Sequence, residues 1–598
     1  MSGTSVTATA SEAEAAPPRR RRGGTLAWAA GTAAVALALF AGYLRQSRTV
    51  SVGSDGASQA LQAWDLLHGN PLLQGWWMTD VSFYTTELPQ YAVVELARGL
   101  TADVIHVAGA VTYTLLVLTA ALLARGAETG TAGRIRALLT AGIMLAPQLG
   151  PGTQTLVLSP DHTGTCVPVL LVLFLIDRGD RPPARPSARP SVRWRVPVVV
   201  WLGLTWTAVA DAMTLFVAVV PLAVVCAVRL ATGWGDRWRN GSLTVAAVLA
   251  VPAELAVTAL IRAHGGWQVN GLRTALAGAG QLAGNARLAG QGLLELFGAD
   301  VFAVSGGPAA ALAVLHLAGV VLAAAGVLAA ARGLFRRNDL VERVLLTGIV
   351  IDLAAYLAGV QAVNILSTRE IVPVLPFAAV LAGRCLGDRL AAGHGSVAGG
   401  SVARGTASRG RFAVAGPALR GGLCAVLALY AAGLGYAAAQ PAAAPQYADL
   451  AGWLRAHHLT AGLSGYHQAN ITTLASGGAV TLRPVTAARG GRLAAYTWNA
   501  SAAWFDPASR TATFLVLVTP GAPGSSGLTA AQASATFGRP ASRYRYQQYE
   551  ILVWPRTTNL LDRLSATKAR ATKARATEPR ATNPSADQSG APATTKHQ

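Results

Sequence analysis

Three carboxylates in one polar stretch have the types and spacing for chemistry: Asp55, Asp80 and Glu87, all within Ser51 to Glu95. The stretch separates two long apolar runs and interleaves its acids with Trp64, Trp76, Trp77 and Tyr84. Trp and Tyr rings settle where hydrocarbon meets water, so acids held among them face a substrate that arrives in the lipid. A carboxylate in a water-poor aromatic surround can have its proton affinity tuned toward general-base work. Two further places supply cations. Arg369, in the run STREIVPV, carries a planar guanidinium that binds phosphate oxygens in pairs, and Asp161 with His162 sits at the tip of an apolar hairpin. Trp77 and Tyr84 complete the set as candidate substrate-seating rings.

The elements that must hold these groups are membrane helices. The chain has 598 residues, of which 52% are hydrophobic and 13% charged, more apolar content than one soluble core can bury. A net charge of +21 would suit nucleic acid, but the arginines are split into short clusters between apolar runs, which is the pattern of membrane orientation and argues against a nucleic-acid partner. Arg19 to Arg22 precede the apolar run Leu26 to Leu44, placing residues 1–24 in the cytoplasm and the 45–103 segment outside. Val104 to Ala124 returns to Arg125, Arg134 and Arg136. Ile135 to Ile176 has arginines on both sides and so reads as a hairpin, tip at Pro147 to His162; Val196 to Val228 likewise reads as two short helices turning near Asp211.

Further spans are expected at Leu243 to Ile261, Ala309 to Ala331, Leu345 to Leu366, Ile371 to Leu386 and Pro417 to Ala438, about eleven crossings in all over residues 25–440. An odd count places residues 441–556 outside. There the apolar runs shorten into an amphipathic helix, Asp449 to His457, and strand-like runs at Val480 to Val485, Thr513 to Val518 and Tyr544 to Trp554. The expected fold is therefore mainly α: a polytopic helical bundle with a small external α+β domain. The repeat at 557–598 and the Arg178 to Arg195 loop lack core formers and are expected to be disordered. Cys166, Cys226, Cys385 and Cys424 all fall in apolar runs, so they are expected to be buried small hydrophobes, with no disulfide framework. Asn-x-Ser/Thr matches at Asn470 and Asn499 carry little weight.

Taken in order, an acid in SDGASQALQAWDLLHGNPLL, a second in FYTTELPQY, SPDHTG at an outer hairpin tip and STREIVPVLPFAAVLAGR near the last spans resemble the multi-spanning GT-C glycosyltransferases. The resemblance is nearest to the branch of protein mannosyltransferases and lipid A aminoarabinose transferases, and it covers most of the chain. It implies sugar transfer, with inversion, from a polyprenyl-phosphate donor to a lipid, glycan or protein acceptor outside the plasma membrane. It places the catalytic base at Asp55. The acid that usually follows is Gly56 here, so any second carboxylate role falls to Asp80 or Glu87. No cofactor is implied beyond an optional divalent cation. Stabilising charge on the departing phosphate falls to Arg369 first and His162 second.

Glu254 and Asp352 lie inside apolar runs, where an ionised side chain is expensive and a functional role is the default. They support a second reading, a transporter or flippase for a lipid-linked or amphiphilic substrate. The clustering of the other polar candidates at outer helix ends, away from the midplane, favours the transferase.

Overall fold

The computed structural model describes residues 22–564 apart from 129, 159–160, 180–193, 272–274, 305, 335, 337, 393–414 and 489. The basic N-terminus, the loop after Arg178 and the repeat tail beyond Leu564 thus lie outside the described residues. Long runs of Ala, Leu and Val give helices because a backbone in hydrocarbon must satisfy its own hydrogen bonds. They are α1 (Arg22–Ser47), α2 (Ser54–Leu67), α3 (Glu87–Arg98), α4 (Asp103–Arg125), α5 (Gly130–Met144), the single turn α6 (Pro151–Thr153), α7 (Thr163–Gly179), α8 (Arg195–Ala210), α9 (Val220–Ala231), α10 (Arg237–Ala263), α11 (Ala279–Leu296), α12 (Gly307–Gly333), α13 (Leu340–Ala358), α14 (Val374–Ala392) and α15 (Ala415–Ala439).

By length and apolarity α4, α10, α12 and Gly421–Ala439 of α15 can each cross a membrane. Two bent pairs, Pro151–Leu158 with α7 at 56° and Ile365–Ile371 with α14 at 50°, bring the number among the described residues to as many as six. The expectation of about eleven crossings counted Ile135 to Ile176 and Val196 to Val228 as two each; α8 and α9, which make up the second pair, are short apolar helices. Both breaks place polar residues at the bend, Asp161 and His162 in one and Arg369 and Glu370 in the other. The hairpin and the turn at Asp211 appear as expected, while α11 was not foreseen.

Small residues set the spacing of α14 against its neighbours. A Cβ on Gly326 of α12 would run into the Ala382 backbone, and one on Gly383 would meet the Thr140 side chain and the Arg136 carbonyl of α5. Such contacts let helix backbones approach closely where lipid offers no hydrophobic drive.

The outer segment is not a loop. It folds as α2, a strand β1 (Trp76–Met78) and α3, which turns Val93 and Leu96 outward and Leu88, Tyr91 and Ala92 inward. Strand β2 (Gln268–Val269) pairs with β1 in parallel.

After α15 the chain builds an α+β unit: α16 (Ala448–Ala456), β3 (Ala461–Ser464), α17 (Tyr466–Ala475), β4 (Thr481–Ala488), β5 (Arg492–Ala495), β6 (Ala500–Ser501), β7 (Phe514–Val518), α18 (Ala530–Phe537), β8 (Ser542–Tyr546) and β9 (Tyr549–Val553). The main sheet runs β5-β4-β3-β7-β9-β8, and β6 leaves it to pair antiparallel with β1. One apolar core joins the unit to the outer helices: Ala57, Leu61, Leu88 and Ile105 pack with Leu463, Ile471 and Phe514. The expected end of this domain at Arg556 is corrected. Leu560 donates its N–H to the Ala512 carbonyl at 2.8 Å, and Leu560, Leu561 and Leu564 are buried, so the unit includes residues up to Leu564. Three of the cysteines are buried as expected, but Cys424 is exposed on α15.

Candidate functional site

Five segments far apart in sequence close around one cavity at the end of the bundle covered by the α+β unit. Helix α2 contributes Asp55 and Gln59, one turn apart on the same face; the stretch after β1 contributes Thr79, Asp80, Val81 and Phe83. The turn before α7 brings Asp161 and His162, the 3-10 turn Ile365–Ile371 brings Arg369 and Glu370, and the C-terminal unit adds Trp498. Phe83 and His162 hold left-handed backbone, φ 50° and 60°, which costs a non-glycine residue roughly 1–3 kcal/mol and tends to mark functional sites.

Arg369 is the centre of charge. Its Nη1 lies 3.4 Å from Asp161 Oδ2 and 3.6 Å from Asp55 Oδ2, and its Nε lies 3.6 Å from Glu370 Oε1. These are loose contacts on a side chain that is 42% exposed. Asp161 is further held by Gln59, whose Nε2 donates to Oδ1 at 3.0 Å. His162 is gripped from both sides: Nδ1 is 2.7 Å from Asp211 Oδ2 and Nε2 is 3.5 Å from Glu370 Oε2. Asp211 also accepts from Thr165 Oγ1 at 2.6 Å and from the Met213 N–H at 2.9 Å, so its orientation is fixed.

Asp80 lines the same cavity. Burial, and to a lesser degree the Glu370 charge, hold its carboxyl above the ordinary range, while His162 and Arg369 pull the other way. Asp55 is placed differently. It sits in the first turn of α2, which Gly53 caps, and its Oδ1 accepts from Tyr466 Oη at 2.6 Å.

The other expected residues fall outside the cavity. Glu87 begins α3 but is fully buried, hydrogen-bonded by Thr86 Oγ1 and packed on Gly164, where any Cβ would collide with its carboxylate. Burial pushes its carboxyl well above the usual range, against the opposing pull of Thr86. It stands behind the wall made by Asp161 to Gly164, out of reach of an acceptor. Tyr84 donates to the Pro71 carbonyl at 2.6 Å and tilts against Trp267, and Trp77 is paired within β1 to Gln268 and Ala500. Both aromatic rings serve the outer scaffold.

Glu370, Asp211, Gln59, Tyr466 and Trp498 were missed. For Asp211 a signal existed, a carboxylate interrupting the apolar run Val196 to Val228, the same cost argument that singled out Glu254 and Asp352. Those two acids stand in different surroundings. Asp352 is buried within electrostatic reach of His162, Glu370 and Asp211, beneath the cavity, whereas Glu254 is half-buried on α10 and accepts from Thr258 Oγ1 at 2.9 Å.

The carboxylates do not suit an added divalent cation, because the Arg369 guanidinium stands between Asp55 and Asp161. Among the described residues no group of three or more His, Cys, Asp or Glu side chains is disposed to hold a metal ion.

No protein-family model matches the chain, and no curated protein matches it in sequence. Among solved structures it is similar to ArnT from Cupriavidus metallidurans bound to undecaprenyl phosphate, with a TM-score of 0.52 at 14% identity over 88% of this chain and 98% of that one. The apo state of the same protein gives a TM-score of 0.50 at 14% identity and the same coverage. The archaeal oligosaccharyltransferase AglB from Archaeoglobus fulgidus, bound to an inhibitory peptide and a dolichol-phosphate, matches at 0.44 with 14% identity over 74% of this chain and 63% of that one, too distant to bear on the argument. The likeness to ArnT is one of fold. Like that neighbour's, this chain's described residues are mostly helical, and four of the helices are apolar and of membrane length.

Proposed function

We propose that this protein transfers a sugar from a polyprenyl-phosphate donor to an acceptor hydroxyl on the extracytoplasmic side of the plasma membrane, with inversion at the sugar carbon. The observation that carries the reading is the convergence of one loosely paired guanidinium and several carboxylates, from separate segments, at the open end of an apolar bundle. A soluble anion would need no such bundle; a phosphate on a lipid tail does.

In this reading the donor phosphate displaces the long contacts of Arg369 and takes its planar fork. Asp55 Oδ2 accepts the acceptor's proton as the acceptor oxygen attacks the sugar carbon. The sugar carbon–phosphate oxygen bond breaks in the same displacement, and its electron pair leaves with the polyprenyl phosphate. Charge growing on that oxygen is met by Arg369, with His162 held in place by Asp211 and Glu370. Asp80, the desolvated carboxylate across the cavity, is the second candidate for the base.

The test is to incubate purified protein with a panel of polyprenyl-phosphate sugars and measure release of polyprenyl phosphate. Release that depends on added acceptor supports the transferase. If no donor is consumed while vesicles containing the protein move a labelled lipid-linked sugar between leaflets, the transporter reading replaces it.

A further inference from the structure

One hydroxyl of the C-terminal unit holds the Asp55 carboxylate. Helices α2 and α17 lie against each other, and the contact is polar where most of this core is apolar. Tyr466, the first residue of α17, donates to Asp55 Oδ1 at 2.6 Å. One turn on, Asn470 donates to Ser58 Oγ at 2.6 Å, and that oxygen lies 3.4 Å from the Tyr466 hydroxyl. From the other side Asn499, held at φ 51°, directs Nδ2 to the same hydroxyl at 3.4 Å while its Oδ1 accepts from Gln62 Nε2 at 2.5 Å. Ser58, Gln62, Asn470 and Asn499 are all buried. Both Asn-x-Ser/Thr matches are thereby spent inside the interface, where no glycan could be attached.

We propose that Tyr466 is a positioning residue for Asp55, so that the catalytic carboxylate is aimed only when the C-terminal unit is docked on α2. This rests on Asp55 being the base. A carboxylate has two equivalent oxygens, and a base that can swing offers either at a varying angle. With Oδ1 fixed by the phenol, Oδ2 is the oxygen turned to Arg369, 3.6 Å from its Nη1. Burial and the adjacent Asp55 charge push the Tyr466 hydroxyl well above the ordinary phenol range, which keeps the hydrogen on tyrosine and leaves the carboxylate as acceptor. The ring itself is held by Tyr496 at 5.2 Å between centroids. Preorganisation of this kind acts on the chemical step and leaves donor binding alone.

Tyr466→Phe removes one oxygen and keeps the ring. It should lower kcat by ~10-fold with the donor KM within about twofold, and this loss should vanish in an Asp55→Asn background, because two residues acting as a unit do not add. A second measurement needs no turnover. Modification of Asp55 by a water-soluble carbodiimide, read by peptide mass spectrometry, should rise several-fold in Tyr466→Phe as the tethered oxygen is freed. Unchanged kcat in an active enzyme, a loss that simply multiplies that of Asp55→Asn, or unchanged labelling would each overturn the assignment. Increased labelling in a protein that consumes no donor would uphold the tether and overturn the transfer reading.

Discussion

Each end of the bundle sets an arginine between carboxylates, and the two are built to different standards. At the basic end, Arg384 Nη2 is 2.8 Å from Asp177 and 2.6 Å from Asp339, its Nη1 donates to the Leu123 carbonyl at 3.1 Å, and the side chain is 7% exposed. Asp339 is anchored in turn by capping α13 through the Glu342 N–H. At the cavity end, the nearest carboxylate to Arg369 among the described residues is 3.4 Å away, and the side chain is 42% exposed. Both stand in STREIVPVLPFAAVLAGR, one near its start and one at its end, fifteen positions and roughly 20 Å apart along the chain. A guanidinium whose donors are taken at close range is a fastener. One surrounded by acids at arm's length has room for a better anion, and the difference in contact length and exposure is what separates structure from site.

The comparison breaks most visibly if the two ends share a side of the membrane. In a cysteine-free background, Gln547→Cys on the exposed rim of the C-terminal unit should label with an impermeant reagent in intact cells, and Thr232→Cys at the basic end should label only after permeabilisation. Equal labelling at both would end the proposed orientation.

Removing the fastener should cost most in stability. Arg384→Met removes the cation held between Asp177 and Asp339 and should destabilise by about 3–5 kcal/mol, seen as a lower Tm or poor recovery in detergent, while transfer per folded molecule persists. A harmless Arg384→Met would mean that close pairing here contributes little.

At the other end the cost should fall on chemistry. Asp55→Asn should keep the parent's Tm and lose ~10²-fold or more in transfer, with Asp80→Asn milder. If Asp80→Asn is the dead variant, the base is the desolvated carboxylate across the cavity.

Arg369→Lys should raise the donor KM by ~10-fold with no loss of Tm, since lysine supplies a point charge without the fork. A fall in Tm like that of Arg384→Met would make the two arginines equivalent.

Smallest is the effect of truncation. Removing residues 565–598 should leave both readouts unchanged, whereas ending the chain at Arg556 exposes the seats of Leu560, Leu561 and Leu564 and should lower Tm.

Much of this arrangement was legible in the sequence because the polar stretches between apolar runs are short and their few charged residues conspicuous. Asp55 and Asp80 were singled out as acids among aromatic residues, Asp161 and His162 as the tip of an apolar hairpin and Arg369 as a phosphate-binding guanidinium, and all five line one cavity. What was hidden depends on direction or distance. Glu87 lies seven residues from Asp80, yet α3 begins at that point and Gly164 leaves a hole for its carboxylate, so it turns into the wall. Trp77 and Tyr84 have the composition of a lipid-facing belt, but Trp77 is taken up by a three-stranded ribbon whose other strands come from residues 268 and 500, and Tyr84 by the Pro71 carbonyl and Trp267. Tyr466 and Trp498 are some four hundred positions from the acid they accompany, and nothing local announces the meeting. Glu370 is simply the residue after Arg369 in the chain; its grip on His162 requires the bend before α14.

The glycine contacts along α14 bear on how this machine can move. Gly326 on Ala382 and Gly383 on Arg136 and Thr140 leave α5, α12 and α14 no slack: a slide by one helical turn would set side chains where only a hydrogen atom fits. The three helices therefore act as a stator. Whatever swings to admit a bulky acceptor must be hung from it, and the parts so hung are the short, bent pieces around His162 and Arg369 and the cap above them.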